Sequence, residues 1–208
     1  RRNFSKNENY LHADQVKLDG MQVSVIKDTG TQMEMFERGE LDYIVLDING
    51  VEKYGEDPRV IFYTNPSIRG IEMNMGNPNQ PILANLNFRK ALYYAMDREQ
   101  MAEMAHQKAA DYFIPYGAVS YADGTNYRDL DIAKANIPEN SYDPELAKEY
   151  FNKALEETGL AKVTLQLNYS DSISDTKMLS EYMQKSLSEL FGPDRFELTL
   201  QAMPSKQM

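Results

Sequence analysis

The side chains able to do chemistry are few. The chain of 208 residues holds two histidines, His12 and His106, and no cysteine. A general base needs a partner and a pocket. Neither histidine has a Ser or Asp placed by the sequence to supply them, so each reads as a surface or helix-end histidine. Without Cys there is no thiolate nucleophile, disulfide or thiolate metal site, and two distant histidines do not make a His-rich metal site. Glu37 with Glu40, and Glu156 with Glu157, have the residue types of acid–base catalysis. In a chain with 32 acidic residues they read instead as solvated faces. No G-x-S-x-G, H-E-x-x-H, Walker or G-x-G-x-x-G string is present. The reading is of a protein that is not an enzyme, with no metal or cofactor.

Two segments have the chemistry of binding instead. Residues 112–140 lack periodicity and carry Tyr112, Tyr116, Tyr121 and Tyr127. Tyrosine offers an apolar face and a hydroxyl, and long irregular loops often carry function. Tyr116 and Tyr121 are candidate ligand or partner contacts; the competing reading is that the tyrosines pin the loop to its domain. The second segment is Ile68, Arg69, Gly70, Ile71, Glu72, Met73 and Asn74, which alternates like a strand. Its backbone N–H and C=O groups suit pairing with an extended peptide, and Gly70 would permit close approach. The competing reading is a plain sheet strand with Arg69 and Glu72 as surface charges. The twelve methionines lie mostly at core spacing and read as packing rather than a Met-lined surface.

Composition narrows the partners. With 22 basic and 32 acidic residues the formal charge is −10, which removes a nucleic-acid footprint and disfavours an anionic-membrane stripe. Hydrophobic residues at 42% and charged residues at 26% are ordinary for a folded soluble domain, and aromatics at 11% argue against disorder. No apolar run approaches the ~20 residues that span a bilayer. The length suits about one to one-and-a-half domains. The chain opens Arg1-Arg2-Asn3 without an initiator Met or signal peptide, and stops soon after a strand-like run. The expectation is an excised piece of a longer protein.

The elements that must position these residues follow from periodicity. Residues 16–27 alternate as a strand. Thr31 and Glu34 fit a capping box opening a short helix with Met33 and Phe36 on its apolar side, and Gly39 stops it. Residues 41–46 (LDYIVL) read as a buried strand, completing a first βαβ unit. Residues 60–63 and 68–75 read as further strands, punctuated at Thr64-Asn65-Pro66. Asn85 or Asn87 caps a helix that buries Phe88, Ala91, Leu92 and Ala95. Asp97 with Gln100 opens the next, carrying Met101 and Met104. Asp143-Pro144 starts a helix with Tyr150, Phe151, Ala154 and Leu155 inward and Gly159 as its stop. Val163, Leu165, Leu167 and Tyr169 alternate. Ser174 or Asp175 caps a helix with Met183 and Leu187 inward, and Phe196, Leu198 and Leu200 form a last strand. This is a second βαβ unit, so the class is α/β.

The string Asn87-Phe88-Arg89-Lys90-Ala91-Leu92-Tyr93-Tyr94-Ala95-Met96-Asp97-Arg98-Glu99 resembles the R-K-A-L-x-x-A-(I/M)-D-R-E signature of the extracellular solute-binding proteins, family 5, of peptide ABC transporters. Phe36-Glu37-Arg38-Gly39-Glu40-Leu41-Asp42 resembles the family's F-x-x-G-E-(L/I)-D element. Asp143-Pro144-Glu145-Leu146-Ala147-Lys148 resembles its D-P-E-x-A-K helix start. Order and separation fit, so the likeness runs over nearly the whole chain. The resemblance implies a periplasmic-binding-protein-like type II fold, with residues 1–68 the end of a first α/β lobe and 69–208 the first portion of a second. It implies capture of an oligopeptide in the inter-lobe cleft, a hinge near residues 64–72, and delivery to a membrane permease driven by ATPase subunits. Relatives also bind nickel complexes or sugars, and a protein–protein module is a further alternative. A monomer without cofactor is expected, outside the cytoplasm: periplasmic, or lipid-anchored to the outer face of the cell membrane. In R-K-A-L, Ala91, Leu92 and Ala95 pack, and Arg89 holds a local carboxylate or carbonyl. The family's strand before E-x-N contributes peptide contacts and carries aromatic residues in several relatives. Here Ser67-Ile68-Arg69-Gly70-Ile71 has none.

Overall fold

Asp and Asn side chains begin most of the longer helices. Each turns an oxygen back onto a backbone N–H three residues ahead, satisfying a donor that the first helical turn leaves open. In the computed structural model, which describes residues 1–63, 65–110, 112–136 and 142–207, Asp28 caps α1 (Thr29–Glu37) through Thr31 N at 2.7 Å. Asp47 caps α2 (Ile48–Tyr54) through Gly50 N at 2.9 Å. Asn85 caps α3 (Leu86–Ala95) through Phe88 N at 2.9 Å, and Asp97 caps α4 (Arg98–Met104) through Gln100 N at 3.0 Å. After a single turn at α5 (Asp131–Lys134), Asp143 caps α6 (Pro144–Thr158) through Leu146 N at 2.9 Å. The anticipated caps at Asn85, Asp97 and Asp143 are therefore present. The expected Thr31 box is not: Thr31 is the residue capped, because Asp28 precedes it by three. Thr64, Pro138, Asn140 and Met208 lie outside the described residues.

The chain divides into two compact units, Arg1–Gly55 and Glu56–Met208. The first holds β1 (Arg2–Ser5) paired antiparallel with β2 (Gly20–Val23), in the register Arg2↔Val23 to Ser5↔Gly20, together with α1 and α2. Gly20 is needed there, because a Cβ on it would lie 2.7 Å from the Phe4 carbonyl oxygen. The first βαβ unit is not formed. Of residues 16–27 only four are strand, their partner is antiparallel, and 41–46 form no strand among the described residues. Alternation marks what could lie on a sheet; a strand also needs a ladder partner for its N–H and C=O groups. Tyr43 and Val45 are consequently exposed.

The second unit carries the buried core. β3 (Val163–Ser170), α7 (Ser174–Phe191) and β4 (Phe196–Met203) form the anticipated second βαβ unit, with the strands parallel from Val163↔Phe196 to Ser170↔Met203. Ala91, Ala147 and Ala154 are fully buried, and such small side chains let helices lie close. Four phenylalanines fill the centre. The Phe151 ring stacks on Phe191 at 4.2 Å and 19° and meets Phe196 at 6.1 Å edge-on. Phe88 approaches Phe151 at 6.4 Å. Gly159 (φ 68) takes the left-handed conformation that ends α6. The methionines do not fill this core as a set: Met183 is buried, whereas Met21 and Met75 are exposed.

One expected cap and two expected strands are absent here among the described residues. The cap position of α7 is Ile173, with no side-chain hydrogen bond, so Asp175 does not serve as its cap; the Ser174 side chain lies outside what the structure describes. Thr176 Oγ1 tightens this end by donating to the Ser170 and Ile173 carbonyls at 2.6 and 2.8 Å. Residues 60–63 and 68–75 form no strand among the described residues, and Ile61, Phe62 and Tyr63 are exposed.

Arg89 behaves as read: its guanidinium donates to the Ala84 carbonyl at 2.7 Å and the Leu83 carbonyl at 3.3 Å. Glu157 ties α6 to the start of α3, accepting from Asn85 Nδ2 at 2.9 Å and Asn87 Nδ2 at 2.7 Å. Those donors favour the carboxylate and hold its pKa below the ordinary 4.5.

Two outcomes follow for folding. Phe151→Ala removes a ring packed among three others and is expected to cost about 3–5 kcal/mol in urea unfolding. The Glu157 contribution is complete above the unfolded pKa and is lost as pH falls through the lower folded value. Unfolding midpoints measured from neutral to acid pH are expected to fall more steeply below about pH 4.3 in the unsubstituted chain than in Glu157→Gln.

Candidate functional site

Open α/β sheets bind ligands beyond the carboxyl ends of their parallel strands, where the following helices begin. In the second unit those ends are Ser170 on β3 and Met203 on β4, with the start of α7 beside them. Three hydroxyls meet here. Ser205 Oγ lies 2.6 Å from Ser170 Oγ and 2.9 Å from Ser172 Oγ, and the latter two are 3.2 Å apart. Asp175, in the first turn of α7, has a side chain only 8% exposed. Its Oδ2 accepts from the Arg69 guanidinium, and its Oδ1 is buried without a hydrogen-bond partner among the described residues.

The 68–74 candidates are thus split by the structure. Ile68 is half-buried, while Arg69, Gly70, Ile71, Glu72 and Asn74 are exposed. The segment runs without helix or ladder among the described residues, so the strand expected over 68–75 is absent as an internal sheet member. A Cβ on Gly70 would meet nothing within 4 Å. Arg69 is more than the plain surface charge of the competing reading, because it reaches Asp175, far along the chain. Sequence reading assigned Asp175 only a capping role and did not single out Ser170 or Ser205. The signal was there in part: an Asp at a helix start whose carboxylate is free of capping is available for something else.

The tyrosine loop is built largely on its own contacts. Tyr112 and Tyr127 bring their hydroxyls to 3.2 Å, Tyr116 donates to Asp129 Oδ2 at 3.1 Å, and Arg128 donates to the Ile114 carbonyl at 2.9 Å while lying over the Tyr112 ring. These bonds hold Tyr112, Tyr116 and Tyr127 within the loop. The Asp129 carboxylate also pushes the Tyr116 phenol pKa above 10.0. Tyr121 is half-exposed and sits at a tight turn in which Gly124 N donates to its carbonyl at 3.0 Å.

Neither histidine has a catalytic partner among the described residues. His12 packs edge-on against Tyr10 at 5.7 Å, and His106 is exposed just beyond α4 with φ 51. In the first unit a shallow depression of about 530 Å³ lies between α1 and α2, lined by residues of both charges such as Glu34, Glu37 and Lys53.

Residues 2–208 match the bacterial extracellular solute-binding proteins, family 5 Middle. The chain belongs to this family. Its members bind solutes and are not enzymes, which accords with the absence of a catalytic motif in the sequence. A dipeptide-binding protein of Lactococcus lactis subsp. cremoris is 28% identical over 99% of this chain and 38% of its own length. The oligopeptide-binding protein OppA of Bacillus subtilis is 25% identical over 92% of this chain and 35% of its own length. Among solved structures, Listeria monocytogenes OppA bound to peptide superposes with a TM-score of 0.69 at 21% identity, covering 99% of this chain and 40% of that one. The α/β fold of the family 5 proteins is therefore present over about two-fifths of the length of such relatives.

Asp129→Asn removes the charge beside Tyr116. The phenol is expected to titrate lower, toward 10, in an NMR or ultraviolet pH titration, with the fold unchanged.

Proposed function

We propose that this chain is part of the solute-capturing component of an ABC importer, and that its solute is an oligopeptide held in a cleft between two lobes. On this reading residues 1–68 belong to the end of the first lobe and 69–208 to the beginning of the second. The observation that carries it is the family 5 match over residues 2–208, together with relatives that are named for dipeptide and oligopeptide binding. Segment 68–74 supports the mode of capture: it is largely exposed and outside any ladder among the described residues, with open space over Gly70. Its backbone groups are available for strand addition by an extended peptide, with Tyr116 and Tyr121 as further contacts. A lobe closes on its ligand by hinge motion of a few residues, here near 64–72. A membrane permease and its ATPase subunits are the partners to which the solute would pass. The family is extracellular, so the working compartment is the periplasm or the outer face of the cell membrane, the latter with a lipid anchor.

A cleft needs both walls. Calorimetry with the 208-residue chain and short peptides is expected to show no micromolar binding, and micromolar binding would overturn this division of the cleft. Native mass spectrometry of the longer parent protein is expected to show a co-purifying peptide. A nickel complex or a sugar in its place would replace the peptide reading with another solute of the same family.

A further inference from the structure

A buried carboxylate oxygen without a hydrogen-bond partner carries a desolvation penalty. Asp175 Oδ1 is such an atom. The aspartate sits at the carboxyl end of the parallel strands, in the first turn of an 18-residue helix. It does not cap that helix, although a helix start offers N–H donors to any carboxylate that turns back. Its charge is turned outward, onto Arg69. The two residues are unequal: the Asp175 side chain is 8% exposed, whereas that of Arg69 is 52% exposed. Arg69 belongs to the stretch without ladder or helix, whose backbone bonds at its ends are local ones, from Ser67 N to the Asn65 carbonyl and from Met75 N to the Met73 carbonyl. The guanidinium is therefore a half-exposed partner lying over a buried anion. A guanidinium fork can engage both oxygens of a carboxylate, yet Oδ1 is left over.

We infer that Asp175 is a cation-recognition subsite, occupied here by Arg69 as an internal stand-in, and that it selects ligands carrying an alkylammonium or guanidinium group. This deepens the peptide-binding reading and rests on it for the ligand's identity as a peptide. The recognition step itself does not depend on that reading. When Arg69 swings toward solvent, the Asp175 carboxylate loses its one cationic partner among the described residues, with Oδ2 released and Oδ1 still unmatched. The hydroxyls of Ser170 and Ser172 stand in the same turn. A cation that brings two or three N–H donors satisfies both carboxylate oxygens, which Arg69 alone does not. Ligand and Arg69 compete for one anion, so binding of a cationic group also frees the 68–74 segment.

The test uses the whole 208-residue chain, ¹⁵N-labelled, with amide shifts of residues 170–176 as the readout. The probes are N-acetyl-lysine amide, alanine amide, which carries only an α-ammonium, and neutral N-acetyl-norleucine amide. R69Q removes the competitor and is expected to bind a cationic probe at least tenfold more tightly than the unsubstituted chain. R69K keeps a competing charge and is expected to stay weak. R69Q/D175N is expected to lose the response, with a dispersed spectrum confirming its fold. Binding of either cationic probe supports the subsite, and which one binds tells a side-chain ammonium from an N-terminal one. Equal responses in R69Q and the unsubstituted chain, an equal response to the neutral probe, or a response surviving in R69Q/D175N would each overturn it. Failure of oligopeptides to bind the parent protein would remove the peptide reading and leave this result standing.

Discussion

The Phe151 ring is the contact on which the second unit depends. It stacks on Phe191 at the end of α7, meets Phe196 at the start of β4, and approaches Phe88 in the first turn of α3. One side chain on α6 thus ties two further helices and a strand to each other. Aromatic rings at these separations attract beyond their area burial. All four are almost completely removed from solvent. The sheet beneath has only two described strands, too few to be stable by itself. What holds β3 and β4 in register is the apolar face they press against α7 and this aromatic group. The carboxyl ends of the strands are held in place by that packing.

The site gains its geometry from the same source. Ser170 and Asp175 lie on either side of the turn from β3 into α7, and Thr176 locks that turn by donating to two carbonyls. Asp175 is buried because the helix is pressed onto the sheet. Arg69 reaches it from a segment with no such support. A buried anion thus faces a half-exposed cation across the turn.

Much of the second unit was readable from residue order. The Asn85, Asp97 and Asp143 caps, the Gly159 stop and the alternations of β3 and β4 are local features, set by side chains within three or four positions of each other. They hold whatever surrounds them. The strands expected at 41–46, 60–63 and 68–75 failed for the converse reason. Alternation is local, but a strand is a pairing, and the partner's position is not encoded in the strand. The pairing of Arg2–Ser5 with Gly20–Val23 was missed because RNFS shows no apolar alternation.

The sequence by itself determined the family, through the R-K-A-L to D-R-E string, and the places where helices start and stop. It also singled out the 68–74 stretch and the tyrosine loop as candidates for binding. Only the tertiary structure decided which residues meet. Arg69 and Asp175 are far apart in the chain, and no periodicity links them; the folded unit brings one onto the other. The same holds for Ser170 with Ser205. Burial left Asp175 Oδ1 without a partner, and burial is a property of the packed whole. Spacing along a chain governs hydrogen bonds within a turn of helix, whereas charge pairing across a domain is governed by where packing puts the elements.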